Sequence, residues 1–429
     1  MKSLLIEGPS KISGTIIPGG NKNAALPIIS ACLLTRDEVV IHNMPDILDV
    51  QVMLDLISGV GVQVERNGTT VKIRAEKILS SELSPKLCAK VRGSILFAGS
   101  LTYRCGEAHI GLPGGDFIGR RRLDSHYYGL GNLGISHRNE NGIAHFVMKN
   151  GKMNASDLFL DEASVTATEQ LLIAAVVAEG TTYIRNAAGE PHIQQLGELL
   201  NAMGAKIKGL GTNTLTIHGV SELHGAEYTI ESDHVEVASY LALAAATGGG
   251  IEIKGNFRTA HYWMTRRVFE RFGIKFTLKP NHIILPPGQE LKVKMDSGDA
   301  IPTVADGPWP QFPSDMMSCM IVAATQAQGT VLFFEKMFES RMYFVDRLIS
   351  MGAKAIVCDP HRAVIMGPCK LDGLEMSSPD IRAGMALVLA AACAEGKSVI
   401  HNADTIYRGY ENLVPKLQSI GVNVVEQIS

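Results

Sequence analysis

The sequence predicts an α/β protein of two lobes, each holding three copies of one β/α unit. Three observations carry that prediction. An apolar helix-like run, a short β-like segment, a second helix pattern and a hairpin-like pair recur in that order six times along the chain. A glycine closes the second helix of every copy, at Gly61, Gly134, Gly204, Gly273, Gly352 and Gly421, and successive copies lie 69 to 79 residues apart. A linker hairpin stands between copies, as at Leu215 to Asp233 and Val364 to Asp380. The stretch Leu4 to Gly20 matches it with no unit ahead, while the sixth copy reaches Ser429 with its hairpin missing. The chain therefore reads as circularly permuted within a repeat, with residues 1–20 completing the C-terminal half. That closure sets the lobes at 21–230 and at 1–20 plus 231–429.

The copies follow in order. The first runs from Ala24 as AALPIISACLLTRDEVVIHN, then VQVMLDLISGVG, then VQVERNGTTVKIRA. The second opens near Gly93 as GSILFAGSLTYRCGEAHIG. In the third, TEQLLIAAVVAEG, TTYIRNA, HIQQLGELLNAMGA and AKIKGLGTNTLTIHG succeed one another, with Gly180, Gly204 and Gly211 where helices end or strands turn. The fourth, fifth and sixth open at Ala238 (ASYLALAAATGGGIEIKG), Met317 (MSCMIVAATQAQGTVLFFE) and Ala383 (AGMALVLAAACAEGKSVIHN).

Composition narrows the function. With 46% hydrophobic and 19% charged residues the chain has ample material for buried cores, which excludes a disordered protein. A net charge of −3, with both signs scattered, argues against a nucleic-acid or anionic-membrane surface as the main business of the protein. The seven cysteines (Cys32, Cys88, Cys105, Cys319, Cys358, Cys369, Cys393) show no CxxC pair and no zinc-type spacing, and most sit in apolar runs, which reads as small buried hydrophobes in a reducing compartment. Glu7 and Pro9 follow the first apolar residues too closely for a signal peptide, and the longest apolar run, Ala383 to Ala394, is short of the ~20 residues a membrane span needs. A cytoplasmic protein with no metal, organic cofactor or obligate protein partner is the expectation.

Chemistry gathers at the junctions ahead of the long helices. Gly19-Gly20-Asn21-Lys22-Asn23 offers a close backbone approach, helix N–H groups and a mobile cation, a plausible anion cradle; it also reads as a glycine turn with a solvated lysine. Asn23, Arg92, Ser164 to Thr168, Asp233 to Val237, Asp315 and Arg382 all fall at this same point of the repeat. If the copies are equivalent, their helix N-termini concentrate on one cleft and favour an anionic ligand. The stretch GLPGGDFIGRRRLD, residues 111–124, reads as a glycine-rich lid with Arg120, Arg121 and Arg122 and one carboxylate, Asp116, at its tip. Asp315 also fits a helix cap. Arg341, Asp380 with Arg382, and Arg408 complete the charges at C-terminal junctions. No Ser-His-Asp spacing, HExxH, Walker A or strand-coupled GxGxxG is present.

Taken in order, GGNKNAALP, VRGSI, LPGGDFIGRRRLD, EASVTATE, FPSDM, FESRM, DIRAGMALVLA and YRGYENL resemble the motifs of the UDP-N-acetylglucosamine 1-carboxyvinyltransferase family, from residue 19 to residue 410. The resemblance implies the enolpyruvyl transferase fold, with three inside-out β/α units per lobe. It also implies transfer of the enolpyruvyl group of phosphoenolpyruvate to the 3-hydroxyl of UDP-N-acetylglucosamine with release of phosphate, the first committed step of peptidoglycan precursor synthesis. By the same resemblance Lys22, Asn23, Arg92, Arg121, Asp380, Arg382 and Arg408 belong to the phosphoenolpyruvate site. Asn23, Arg92, Arg121, Asp124, Ser164, Val165, Asp315 and Arg341 belong to the nucleotide-sugar site. Asp315 is the implied general base, with Asp116 and Lys22 as the other catalytic groups.

The lid departs from the family, which usually carries a cysteine where this chain has Asp116. A carboxylate is a far weaker nucleophile than a thiolate, so the expectation is resistance to fosfomycin, which alkylates that cysteine. The lid also reads RRRLDSH where a proline usually follows the matching arginine, and VADGPWPQFPSD is bulkier than the common version. Two alternatives follow: a paralogous enolpyruvyl transferase with a different nucleotide or sugar acceptor, or a non-catalytic nucleotide-sugar binding protein.

Overall fold

The computed structural model describes residues 2–116, 118–119 and 121–428. Arg120, one of the three lid arginines, lies outside the described residues. The chain divides into two compact units: Gly20–Gly115 with Arg121–Ile230, and Met1–Gly19 with Asp116–Arg120 and Glu231–Ser429. Each has its own contiguous apolar core.

Three central helices organise each unit. In the first they are α1 (Lys22–Ala31), α2 (Phe97–Cys105, preceded by a 3-10 turn at Arg92–Leu96) and α3 (Val165–Ala175). In the second they are α4 (His234–Ala246), α5 (Ser314–Thr325) and α6 (Ile381–Cys393). Within each unit every pair of the three is in contact. The sequences explain why: α4 reads HVEVASYLALAAA and is buried along its whole length, and α6, IRAGMALVLAAAC, is buried through Ala392. Helices apolar all round belong at the centre of a fold rather than on its surface. The strands do the opposite. Gln63–Asn67 and Lys354–Asp359 alternate between exposed and half-buried residues, so each sheet keeps one face to water. Helices inside and sheets outside make these inside-out β/α units.

There are six small sheets among the described residues, and five share one plan. In the sheet ordered Glu227–Thr229, Glu38–His42, Thr70–Arg74, Gln63–Asn67, the first pair is parallel and the other two antiparallel. The sixth copy keeps this plan with Lys2–Gly8 in the third place, between Gly396–His401 and Asn423–Ile428. The second copy has a three-stranded sheet, and a single parallel bridge between Glu82 and His109 stands where the fourth strand would pair.

The repeat glycines occupy one conformation. Gly61, Gly134, Gly204, Gly273, Gly352 and Gly421 have φ between 79° and 104°. Just after them the N–H groups of Val62, Ala205, Ile274, Ala353 and Val422 bond back to the carbonyls of Ile57, Leu200, Phe269, Leu348 and Leu417. This is the left-handed helix stop that glycine adopts without steric cost.

One expected element is different. Leu215 to Asp233 is not a hairpin: Thr214–His218 pairs with Thr181–Arg185, whereas Glu227–Thr229 runs parallel to Glu38–His42 in another sheet. Val364 to Asp380 divides the same way, with Arg362–Gly367 against Gly329–Phe334 and Glu375–Ser377 beside Gly396–His401. Period-two alternation marks strands but does not say which neighbour each one meets.

Candidate active site

In the unit carrying α1 to α3, the helix starts hold the predicted polar residues. Asn21 caps α1 by accepting from the Ala24 N–H at 2.9 Å, which places Lys22 and the half-buried Asn23 in the first turn. Lys22 is buried, and its Nζ lies 2.8 Å from Asp49 Oδ2 on the helix Leu48–Gly59. Glycine is required just ahead of it, because a Cβ on Gly20 would sit 1.8 Å from the Asn43 carbonyl oxygen.

Arg92 donates from Nη2 to the Arg121 carbonyl at 2.7 Å and to the Arg122 carbonyl at 3.3 Å, so it fixes the backbone of the arginine run. Burial and the neighbouring Arg121 charge lower its pKa to about 10. Asp124 opens the helix Asp124–Asn132 and is exposed, held by Arg122 through Nε at 2.5 Å and Nη2 at 2.8 Å. Ser164 caps α3 by accepting from the Ala167 N–H at 3.4 Å, with Val165 as the first helical residue.

The other unit concentrates charge at the starts of α5 and α6. Asp315 lies in the first turn of α5. Its Oδ1 accepts from Arg341 Nη2 at 2.5 Å, and its Oδ2 accepts from Arg382 Nη2 at 2.9 Å and Nε at 3.1 Å. Two buried guanidinium groups thus share one carboxylate. Burial works against the charge on Arg382, but Asp315, Tyr410 and Asp233 more than offset it and raise its pKa. Arg341 stacks on the Phe338 ring at 5.3 Å, and its Nε and Nη1 are buried with no hydrogen-bond partner among the described residues. In the same unit Arg408 Nη1 lies 2.5 Å from Asp116 Oδ1. The Ser340 N–H also donates to the Ile118 carbonyl at 3.2 Å, so the tip of the glycine-rich stretch is bound to this unit.

Asp380 and Asp233 turn out to be helix caps. Asp380 accepts from the Arg382 and Ala383 N–H groups at 2.8 and 3.0 Å, and Asp233 from those of Val235 and Glu236 at 2.8 and 3.2 Å. At α4 and α6 the chain's own carboxylates therefore already meet the N–H groups that sequence reasoning offered to an anionic ligand.

The sequence reading did not single out Asp49, Asp306 or Glu335, or the fully buried His126, which lies between Gln170 Oε1 at 2.6 Å and Thr166 Oγ1 at 3.0 Å. Burial lowers the His126 pKa to about 4, with Gln170 opposing, so the ring is neutral at physiological pH. An acidic residue one helix away from a lysine carries no local signal. The cysteines are unpaired, and burial pushes Cys32 and Cys319 up to about 12 and about 11, which makes them inert packing groups.

The Lys22–Asp49 pair gives a direct prediction. Replacing Asp49 by asparagine removes a carboxylate charge 2.8 Å from a buried cation and is expected to cost about 3 kcal/mol in urea unfolding. Adding Lys22→Met should restore most of that loss. Equal losses in the single and double variants would show that the pair is not coupled.

Curated relatives match the chain over nearly its whole length. A UDP-N-acetylglucosamine 1-carboxyvinyltransferase of Borreliella burgdorferi is 49% identical over 424 residues, covering 99% of both chains, and one of Treponema pallidum is 49% identical over 426 residues with the same coverage. One of Bacteroides thetaiotaomicron is 46% identical over 432 residues, again 99% of both. The chain belongs to the UDP-N-acetylglucosamine 1-carboxyvinyltransferase family. The broader family model described as EPSP synthase (3-phosphoshikimate 1-carboxyvinyltransferase) matches residues 6–417. Among solved structures, the enolpyruvyl transferase NikO from Streptomyces tendae superposes with a TM-score of 0.89 at 21% identity, covering 100% of this chain and 99% of that one. An EPSP synthase from Acinetobacter baumannii superposes at 0.76 with 16% identity over both full chains. These likenesses show the enolpyruvyl transferase fold. No helix among the described residues is long and apolar enough to cross a membrane, and no group of three or more His, Cys, Asp or Glu among them is arranged to hold a metal.

Proposed function

We infer that this protein transfers the enolpyruvyl group of phosphoenolpyruvate to the 3-hydroxyl of UDP-N-acetylglucosamine and releases phosphate, opening peptidoglycan precursor synthesis. The observation that carries this is the 49% identity across 99% of both chains with enzymes of that name. The site geometry supports it. Asp315 is an acceptor-only group in the first turn of a helix, held in a fixed orientation by two arginines, as a base that must meet one hydroxyl requires.

The roles of single residues are part of the proposal. Asp315 takes the proton of the 3-hydroxyl as its oxygen bonds to C2 of phosphoenolpyruvate. Protonation of the methylene carbon gives a tetrahedral intermediate, and loss of phosphate with loss of a proton from that carbon restores the double bond. Arg382, Arg408, Lys22, Arg92 and Arg121 contribute cations for the phosphate and carboxylate, and Asn23 contributes a neutral amide. Arg341, whose Nε and Nη1 meet no acceptor among the described residues, faces an acceptor on the nucleotide sugar; Asp124, Ser164 and Val165 serve its uridine diphosphate end, together with Asn23, Arg92 and Arg121. Asp380 acts by capping α6 and so fixing Arg382. Asp116 accepts from Arg408 as it stands. Once a substrate phosphate draws Arg408 away, Asp116 takes a proton from solvent and passes it to the methylene carbon. We place the reaction in the cytoplasm, where seven unpaired cysteines stay reduced.

Phosphate release from phosphoenolpyruvate, measured with UDP-N-acetylglucosamine beside UDP-N-acetylgalactosamine, UMP and shikimate 3-phosphate, tests the assignment. Release that depends on the first acceptor supports it; release with only another acceptor, or with none, refutes it.

A further inference from the structure

We propose that Asp306 and Glu335 form a buried carboxyl pair that shares one proton and positions Asp315, a role that rests on reading Asp315 as the general base. The strands Thr303–Ala305 and Gly329–Phe334 run parallel, with Ala305 opposite Phe334, so Asp306 and Glu335 leave the same end of one sheet side by side. Both are fully buried. Glu335 accepts from Ser314 Oγ at 2.9 Å on each of its oxygens, and its Oε1 also accepts from the Phe338 N–H at 3.1 Å. Ser314 is the first residue of α5 and the neighbour of Asp315. The Phe338 carbonyl accepts from the Arg341 N–H at 3.2 Å. A single carboxyl group therefore ties down both segments whose side chains meet in the Arg341–Asp315 ion pair.

The proton has a defined place. Asp306 Oδ1 accepts from the Lys336 N–H at 2.5 Å, but Oδ2 meets no donor among the described residues. A protonated Glu335 supplies that donor. The groups facing Glu335 are Asp306, Ser314 and Arg341, with the His361 ring donating to the Glu335 backbone carbonyl at 2.6 Å. Burial and then Asp306 push the Glu335 carboxyl up to about 9, with Arg341 and Ser314 opposing. Charge balance gives the pair a function. Arg341 faces both Asp315 and Glu335, and the singly protonated pair sets one negative charge near it. Losing the proton adds a second negative charge and draws Arg341 away from Asp315.

Glu335→Gln tests this, because the amide keeps an acceptor for Ser314 and Phe338 and a donor for Asp306. The expected result is that native kcat falls on an alkaline limb near pH 9, where Glu335 loses its proton. That limb should be absent in Glu335→Gln, whose neutral kcat should stay within about threefold of native. Glu335→Ala should lose about tenfold or more in kcat at every pH, with little change in KM for the nucleotide sugar. An unchanged alkaline limb in Glu335→Gln, or a neutral kcat as low as that of Glu335→Ala, overturns the proposal. Turnover that survives Asp315→Asn refutes only the base reading. The shared proton is then read from stability, since a raised carboxyl pKa stabilises the fold at low pH and that stabilisation is lost as pH rises through about 9. Native Tm should fall relative to Glu335→Gln over that rise, and parallel curves would rule out a shared proton.

Discussion

Replacing Asp315 by asparagine lowers kcat by about a thousandfold or more, while binding of UDP-N-acetylglucosamine changes by only a few fold. The asparagine keeps the shape of the side chain and one oxygen for the arginines, but it cannot accept the hydroxyl proton. The native carboxylate uses both oxygens, Oδ1 for Arg341 and Oδ2 for Arg382. The variant therefore also leaves one buried guanidinium facing an amide N–H, which costs stability of about 2 to 3 kcal/mol. Single-turnover kinetics beside calorimetric binding separate these effects. A loss of binding as large as the loss of kcat would mean that Asp315 holds the sugar and is not its base.

Fosfomycin leaves this protein fully active under conditions that inactivate relatives with a lid cysteine, and Asp116→Cys makes it sensitive. Alkylation needs a nucleophile at the lid tip, and Asp116 is a carboxylate already engaged by Arg408 at 2.5 Å. An ion-paired carboxylate attacks an epoxide far more slowly than a thiolate beside a cation. Arg408 would lower the pKa of a thiol placed there, so the expected gain in inactivation rate is at least about a hundredfold. Mass spectrometry of the incubated protein reads the result. Covalent labelling of Asp116 in the native chain would contradict it, as would an unlabelled Asp116→Cys variant that still turns over.

The six-copy plan is legible in the sequence because its signals are local. The glycine at each second-helix end must adopt positive φ, and the long apolar runs of α4 and α6 belong to central helices. The helix-start polar residues are legible for the same reason: Asn21, Ser164, Asp233 and Asp380 obey the capping rule one by one. What joins residues far apart in the chain is not legible. Nothing near Lys22 announces Asp49, and nothing near Ser314 announces Glu335, because these partners come from other elements and any acidic residue there would read alike. The strands at Thr214–His218 and Glu227–Thr229 show the same limit, since their alternation fits a hairpin as well as the crossover they form. The lid tip reads as part of the N-terminal lobe by chain order, yet Asp116 accepts from Arg408 and the Ile118 carbonyl accepts from the Ser340 N–H.

The most direct measurement is the structure of the product formed from phosphoenolpyruvate and UDP-N-acetylglucosamine, determined by proton and carbon NMR alongside the phosphate released. The account predicts a vinyl ether on the 3-oxygen of the sugar, one for each phosphate. An ether at another oxygen, or phosphate released with the nucleotide sugar unchanged, would contradict it.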